Sequence, residues 1–284
     1  MGLSTRDPQD DGSARAPAVI KAARILTELA QHPTAMSATD LARRIDMAKS
    51  SMSDLCLALI EEGLLARTSE GRYMLGGHLV ELARPLVGGT RLLEVFADAC
   101  EAVPEATGET VTMSIADGAD IVIVAVRRGS VLLPMTPKVG LHLPIWTTAA
   151  GRALLSATPL DTLRSILMLE SATAAGVPGL MPTADNLHDE LRRESRLGIH
   201  TDKQQTAVGM ISFSAPLILK RGSPPTAAIA LSTRAPLAQP RRRQTLSMAV
   251  RSVADECIRR TGGGTDNTEE ASFAVTLDSR KFRP

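Results

Sequence analysis

Residues 41–65 read LARRIDMAKSSMSDLCLALIEEGLL. The first five close a short apolar helix, Asp46-Met47-Ala48 makes a tight connection, and a second helix opens near Ser50 or Ser51. Met52, Leu55, Cys56, Leu59 and Ile60 recur at helical spacing and form its buried stripe. Gly63 ends it, because glycine takes the positive φ of a helix terminus without steric cost. The opposite face carries serines and Asp54, polar residues with no core to enter.

The flanking residues complete a small domain. Val19, Ala22, Ala23, Leu26, Leu29 and Ala30 form one apolar stripe from Pro17 to the breaker Pro33. Ser37 and Asp40 make an S-x-x-D start signal for a helix from Ala38 to Ile45. Residues 64–67 and 72–75 read as two strands around Thr68-Ser69-Glu70-Gly71. Three helices and a hairpin match a winged helix-turn-helix, whose second short helix is narrow enough for the major groove. On that reading Lys49, Ser50, Ser51, Ser53 and Asp54 lie at the reading end, where hydroxyls and N–H groups take phosphate oxygens. Arg67 and Arg72 sit on the wing. Over residues 35–75, five basic side chains meet six acidic ones, a net charge of −1 that argues against phosphate affinity. DNA binding then requires Arg43, Arg44 and Lys49 to face the duplex while Glu61 and Glu62 face away. The same topology also serves protein docking, so a sensor that binds only protein is the alternative.

The totals place the domain in a larger protein. Two domains are expected from 284 residues, and 44% hydrophobic residues supply two cores. Aromatics are only 2%, which excludes a stacking platform for single-stranded nucleic acid. Cys56, Cys100 and Cys257 are far apart and form no C-x-x-C pair, so they read as free thiols in a reducing compartment. The polar N-terminal MGLSTRDPQDDGSAR lacks the apolar segment of a signal peptide, and IVIVAV at 121–126 is too short for a membrane span. A cytoplasmic protein with no membrane partner is expected.

Beyond residue 77 a helix over 78–103 reads as a linker, weak at Pro85 and Gly88-Gly89. Strands follow at 109–116 and 121–126, then TTAAGRALL at 147–155 as a helix whose start is crowded with small residues. Helices at 160–169 and 185–197, strands at 209–219 and 226–233, and a helix at 240–260 complete an α+β domain with a mainly antiparallel sheet. The expected division is a disordered arm at 1–16, the winged domain at 17–77, the linker at 78–103, a second domain at 104–261, and a disordered tail at 262–284.

Several stretches together resemble the IclR family of bacterial transcription regulators. In the first domain they are VIKAARILTELA, SATDLARRIDMAKSSMSDLCLALIEEGLL and EGRYMLG. In the second they are TGETVTMSIADGADIVIVAV, VGLHLPIWTTAAGRALL, LGIHTDKQQTAVGMISFSAP and AAIALS. The resemblance spans residues 17–258 in the family's order. It implies a GAF-like second domain that binds a small organic-acid effector. It implies a homodimer, often a dimer of dimers, on palindromic duplex DNA, controlling catabolic genes, here read as a repressor. Aligned with the family, Asp202, Met210, Ser212 and Ser232 stand where effector-site residues stand. There are departures: Asp54 replaces the usual Arg, Ala48 a common Pro, Ser212 a frequent Cys, and Gln204 and Gln205 common acids. Asp54 either accepts from cytosine N4 or, with Ser51, makes a second S-x-x-D cap.

The residues themselves also point to a pocket. Thr148, Ala149, Ala150 and Gly151 are small enough for a carboxylate to approach free N–H groups at a helix start. Leu132 and Trp146 are candidates for its apolar wall. Tight packing of that helix on a sheet would demand the same small residues. An enzyme is the competing class, for instance a small-molecule hydrolase. His32, His78, His142, His188 and His200 form no H-x-H or H-x-x-x-H pair, there is no G-x-S-x-G, and His200, Asp202 and Ser212 have nothing to orient them as a triad. No catalytic residue, metal or cofactor is expected.

Overall fold

The structure is a computed structural model and describes residues 16–32, 34–86, 90–173 and 181–262. The chain divides into two compact units, Met1–Pro85 and Leu86–Pro284. The expected disordered arm and tail lie outside the described residues, apart from Ala16 and Gly262.

In the first unit, helices α1 (Pro17–Gln31), α2 (Ala38–Arg44) and α3 (Lys49–Glu61) precede a hairpin of β1 (Leu65–Arg67) and β2 (Tyr73–Leu75). Ser37 caps α2: its hydroxyl accepts from the Asp40 N–H and donates to the Asp40 carboxylate at 2.7 Å. The chain turns between α2 and α3 at Asp46, whose φ of 53° is left-handed. Ile25, Leu29, Leu41, Met52, Cys56 and Tyr73 close one core. Gly63 follows α3 at φ 67°. The order of elements is the one that the apolar spacing predicts.

One expectation about α3 is overturned. The helix begins at Lys49, and its N-cap is Ala48, which makes no side-chain cap. Ser51 and Asp54 lie inside the helix, so they form no capping box. The S-x-x-D pattern marks a helix start only where a non-helical Ser precedes it, as Ser37 does.

The stretch read as one linker helix is two. α4 (His78–Leu86) runs through Pro85, and α5 starts at Thr90. α5 (Thr90–Glu101) is no linker. Leu92, Val95, Phe96, Ala99 and Cys100 are buried in the core of the second unit.

That unit is built on a six-stranded antiparallel sheet of order β5-β4-β3-β8-β7-β6. Its strands are β3 (Thr110–Asp117), β4 (Asp120–Arg127), β5 (His142–Pro144), β6 (His200–Lys203), β7 (Met210–Leu217) and β8 (Ala227–Arg234). The short edge strands β5 and β6 were not expected from the sequence. Side chains alternate across a strand, and here the alternation separates two buried layers. Val111 and Met113, Ile211, Phe213 and Ala215, and Ala227, Ile229 and Leu231 pack with α5 and α9 (Pro240–Thr261). The residues between them are small or hydroxylic: Thr110, Thr112, Ser114, Ser212, Ser214 and Ser232, all buried. This second face lies under α6 (Ala149–Leu154), α7 (Leu160–Thr173) and α8 (Ala184–Leu197), whose apolar cluster takes in Ile121, Ala228 and Ala230 from the sheet.

Candidate functional site

Two surfaces carry the predicted residues, one in each unit. In the first unit, burying Met52, Cys56 and Leu59 leaves Lys49, Ser50, Ser51, Asp54, Leu57, Ala58 and Glu61 of α3 exposed. Ser53 is half-buried, and its hydroxyl donates to the Lys49 carbonyl at 3.0 Å. The cations of this surface are not equally free of carboxylate partners. Arg43 pairs with Asp40 at 2.7 Å and Arg44 with Glu28 at 3.0 Å, so both charges are already partly offset. Asp40 is held below the usual carboxylate range, chiefly by the Ser37 hydroxyl and then by Arg43. Lys49 has no carboxylate partner among the described residues. On the hairpin, Arg67 donates to the Gly71 carbonyl and lies 5.6 Å from the Tyr73 ring centre. Arg72 reaches Glu70 at 3.6 Å. Leu57 and Met74 are exposed apolar members of this surface. They were missed because the apolar pattern reads as core.

In the second unit, a pocket enclosing about 30 Å³ opens on the hydroxylic face of the sheet. Six hydroxyl side chains line it: Thr112, Ser114, Thr148, Thr206, Ser212 and Ser232. Ser212 and Ser232 stand directly opposite one another on β7 and β8 and share a hydrogen bond of 2.8 Å. The Ser114 hydroxyl is fully buried and has no hydrogen-bond partner among the described residues. A bulge in the β3–β4 pairing falls between Met113 and Ser114. The apolar wall is Ile121, Ile123, Met135, Pro137, Leu143 and Met210, closed by Ala149, Ala150 and Ala230. Among the described residues, no Lys, Arg, His or aromatic side chain lines the pocket.

The structure therefore brings Thr148, Ala149, Ala150, Met210, Ser212 and Ser232 together and leaves the other four predicted residues outside. Leu132 is 85% exposed. Trp146 is buried in the cluster beneath α6. Gly151 serves packing: a Cβ there would lie 1.8 Å from the Ile145 carbonyl oxygen. Its N–H is taken at 2.9 Å by the hydroxyl of Thr148, the helix cap. Asp202 lies across from Ser212 on β6, but its carboxylate accepts the Gln205 N–H at 2.6 Å and the Thr206 N–H at 3.3 Å. Burial pushes it up, and those bonds only partly offset the rise. It fixes the turn that delivers Thr206. Thr112, Ser114 and Thr206 were missed, although the hydroxyls of TVTMS alternate with apolar residues in a strand buried on both faces.

Beneath α6 lies a charged cluster. Arg152 is 4% exposed and donates to Glu194 at 3.0 Å and Glu190 at 2.9 Å. Buried His200 stands 3.2 Å from Glu194. Burial alone would raise Glu194, but His200 and Arg152 hold it below its ordinary range. His200, Asp202 and Ser212 thus have separate partners and make no triad. No described helix is long and apolar enough to cross a membrane.

A tri-helical unit with a hairpin and a separate α+β unit that carries a half-open pocket make the architecture of a DNA-binding transcriptional regulator. Comparison with known proteins agrees. Residues 18–69 match the IclR helix-turn-helix domain, and residues 86–269 match the C-terminal domain of the bacterial transcriptional regulator IclR. The chain belongs to the IclR family of transcriptional regulators. It is 32% identical over 216 residues to the HTH-type transcriptional regulator Rv1719 of Mycobacterium tuberculosis, covering 74% of this chain and 80% of that one. It resembles the crystal structure of the Agobacterium tumefaciens repressor BlcR at a TM-score of 0.55 and 27% identity, over 88% of this chain and 99% of that one. An IclR homologue from Microbacterium hydrocarbonoxydans, solved with 4-hydroxybenzoate, shares the fold at a TM-score of 0.67 and 19% identity, over 84% and 98% of the two chains.

Proposed function

We propose that this protein is a repressor of a catabolic operon that binds a palindromic operator through α3 and releases it in response to a small organic acid. The observation that carries the DNA part is the exposed edge Lys49-Ser50-Ser51-Asp54, held outward by the buried Met52, Cys56 and Leu59. Lys49 and the two serines supply phosphate contacts, Asp54 faces base edges, and Arg67 and Arg72 touch the backbone from the wing. Each α3 reads one half-site, so the operator requires at least a homodimer, and a dimer of dimers reads two such operators. In keeping with assembly, α4 turns Val80 and Leu82 outward, at 75% and 53% exposure.

The effector part rests on the pocket. Hydroxyl donors gathered in an apolar enclosure offset the cost of removing a carboxylate from water. The N–H groups of Ala149 and Ala150 have no acceptor among the described residues and add two donors. The test is operator selection from random DNA followed by binding titrations in rising salt. Lys49→Ala should weaken binding to every sequence and reduce the salt slope by about one. An unchanged slope places α3 wrongly on the duplex.

A further inference from the structure

We infer that the pocket selects short aliphatic 2-hydroxy monocarboxylates and turns away both aromatic and dicarboxylic acids. This inference rests on the reading of the pocket as the effector site. Three features of the lining support it independently.

The first is size. The pocket is half open and its free space is about 30 Å³, far less than the about 150 Å³ of a cavity that takes benzene. Its floor is stiff. Thr112, Ser114, Ser212, Ala230 and Ser232 are buried in three central strands, and Ala149 and Ala150 are packed on them in α6. Met135 and Met210 are the adaptable members, because an unbranched thioether side chain changes rotamer easily. Moving them widens the pocket, and a short aliphatic acid needs less widening than a ring. A ring would also find no aromatic side chain for an edge or face contact.

The second feature is charge. No cationic side chain among the described residues lines the pocket, and Arg152 spends its charge on Glu190 and Glu194. Hydroxyl and amide donors can carry one carboxylate. A second carboxylate would be buried without a counter-charge, an expensive arrangement.

The third feature is the chemistry of the donors. A carboxylate only accepts, so a pocket built for it alone would favour donors that accept nothing. Here the polar lining is hydroxylic, and each hydroxyl both donates one bond and accepts up to two. Ser114 has no partner among the described residues, and Ser212 and Ser232 share one bond between them, which leaves one of their two protons over. Ser114 and Thr112 lie two residues apart on one face of β3. A ligand with a carboxylate and an adjacent O–H uses both capacities: the carboxylate accepts from these hydroxyls, and its own O–H donates back to one.

The experiment is calorimetric titration of the full-length protein with lactate, 2-hydroxybutyrate, 4-hydroxybenzoate, benzoate and succinate, beside a gel shift on its selected operator. Lactate and 2-hydroxybutyrate should bind at least tenfold tighter than the other three. Ser114→Ala should weaken lactate about tenfold, and Ser114→Thr, which restores the hydroxyl, should weaken it less. Benzoate, 4-hydroxybenzoate or succinate binding as tightly as lactate overturns the inference and leaves the effector reading standing. Lactate binding unchanged in Ser114→Ala also overturns it. If no acid of any class binds while the operator is still shifted, the effector reading fails and takes the inference with it.

Discussion

Asp54 is an exposed carboxylate of α3, and its position in that helix separates two roles that the sequence left open. A capping carboxylate belongs within the first turn, three residues after a non-helical Ser or Thr. Asp54 is the sixth residue of α3, and the N-cap is Ala48. Its removal therefore should cost little stability. Asp54→Asn is expected to move the unfolding free energy by no more than about 0.5 kcal/mol, the usual range for an exposed site. The functional effect should be larger. Asp54→Arg exchanges an acceptor suited to cytosine N4 for a donor suited to guanine, so it should change the preferred base at one position per half-site. Selected-site sequencing of both variants beside thermal unfolding checks this. A destabilised Asp54→Asn with unaltered preference would return Asp54 to a structural role.

At the scale of elements, Arg152 ties α6 to α8, and Glu194 ties α8 to β6 through His200. Ala149 and Ala150 of the same helix line the pocket, so this cluster holds one of its walls. Such a cluster should be most costly to disturb when its carboxylates are ionised. Glu194 is held below the ordinary 4.5 by His200 and Arg152 despite the opposing effect of burial. A carboxyl with a lowered folded pKa adds stability that is complete above the unfolded value and is lost as pH falls through the folded one. Glu194→Gln should therefore melt below the parent at pH 7, and the gap should narrow once pH drops below about 4.5. Asp202 contributes with the opposite sign, since burial raises it, but it is common to both proteins and leaves the difference intact. A gap that stays constant from pH 7 to pH 3 would count against the ion pair as its cause. This cluster was not legible in the sequence. Arg152, Glu190, Glu194 and His200 come from three elements, and β6 is only four residues long with Asp and Lys in it, too short and polar to announce a strand. The central strands were legible because TVTMS and MISFSA alternate. The alternation did not reveal that the hydroxylic side was also buried. A period of two separates faces without saying which one meets water.

At the scale of the whole molecule, the regulator reading is a statement about coupled equilibria. Binding of an effector and binding of an operator are linked if each ligand prefers a different state of the protein. The factor by which one changes the affinity of the other must then be the same in both directions, typically 5- to 150-fold. A repressor released by its effector requires this factor to oppose joint binding. The prediction uses whichever acid binds most tightly in titration. Its dissociation constant should rise in the presence of saturating operator by the factor with which saturating acid weakens the operator complex. Without DNA, the same acid at a hundredfold excess over its dissociation constant should stabilise the native state by about 2.7 kcal/mol, because it binds the folded pocket and not the unfolded chain. Thermal unfolding measures that increment, and fluorescence anisotropy with labelled operator measures the coupling. An acid that produces the full increment yet leaves operator affinity unchanged would be a ligand of the second unit without being an effector. An acid that strengthens the operator complex would make the protein a co-repressed or activating regulator, and the reciprocal titration would then show tighter acid binding on DNA by the same factor.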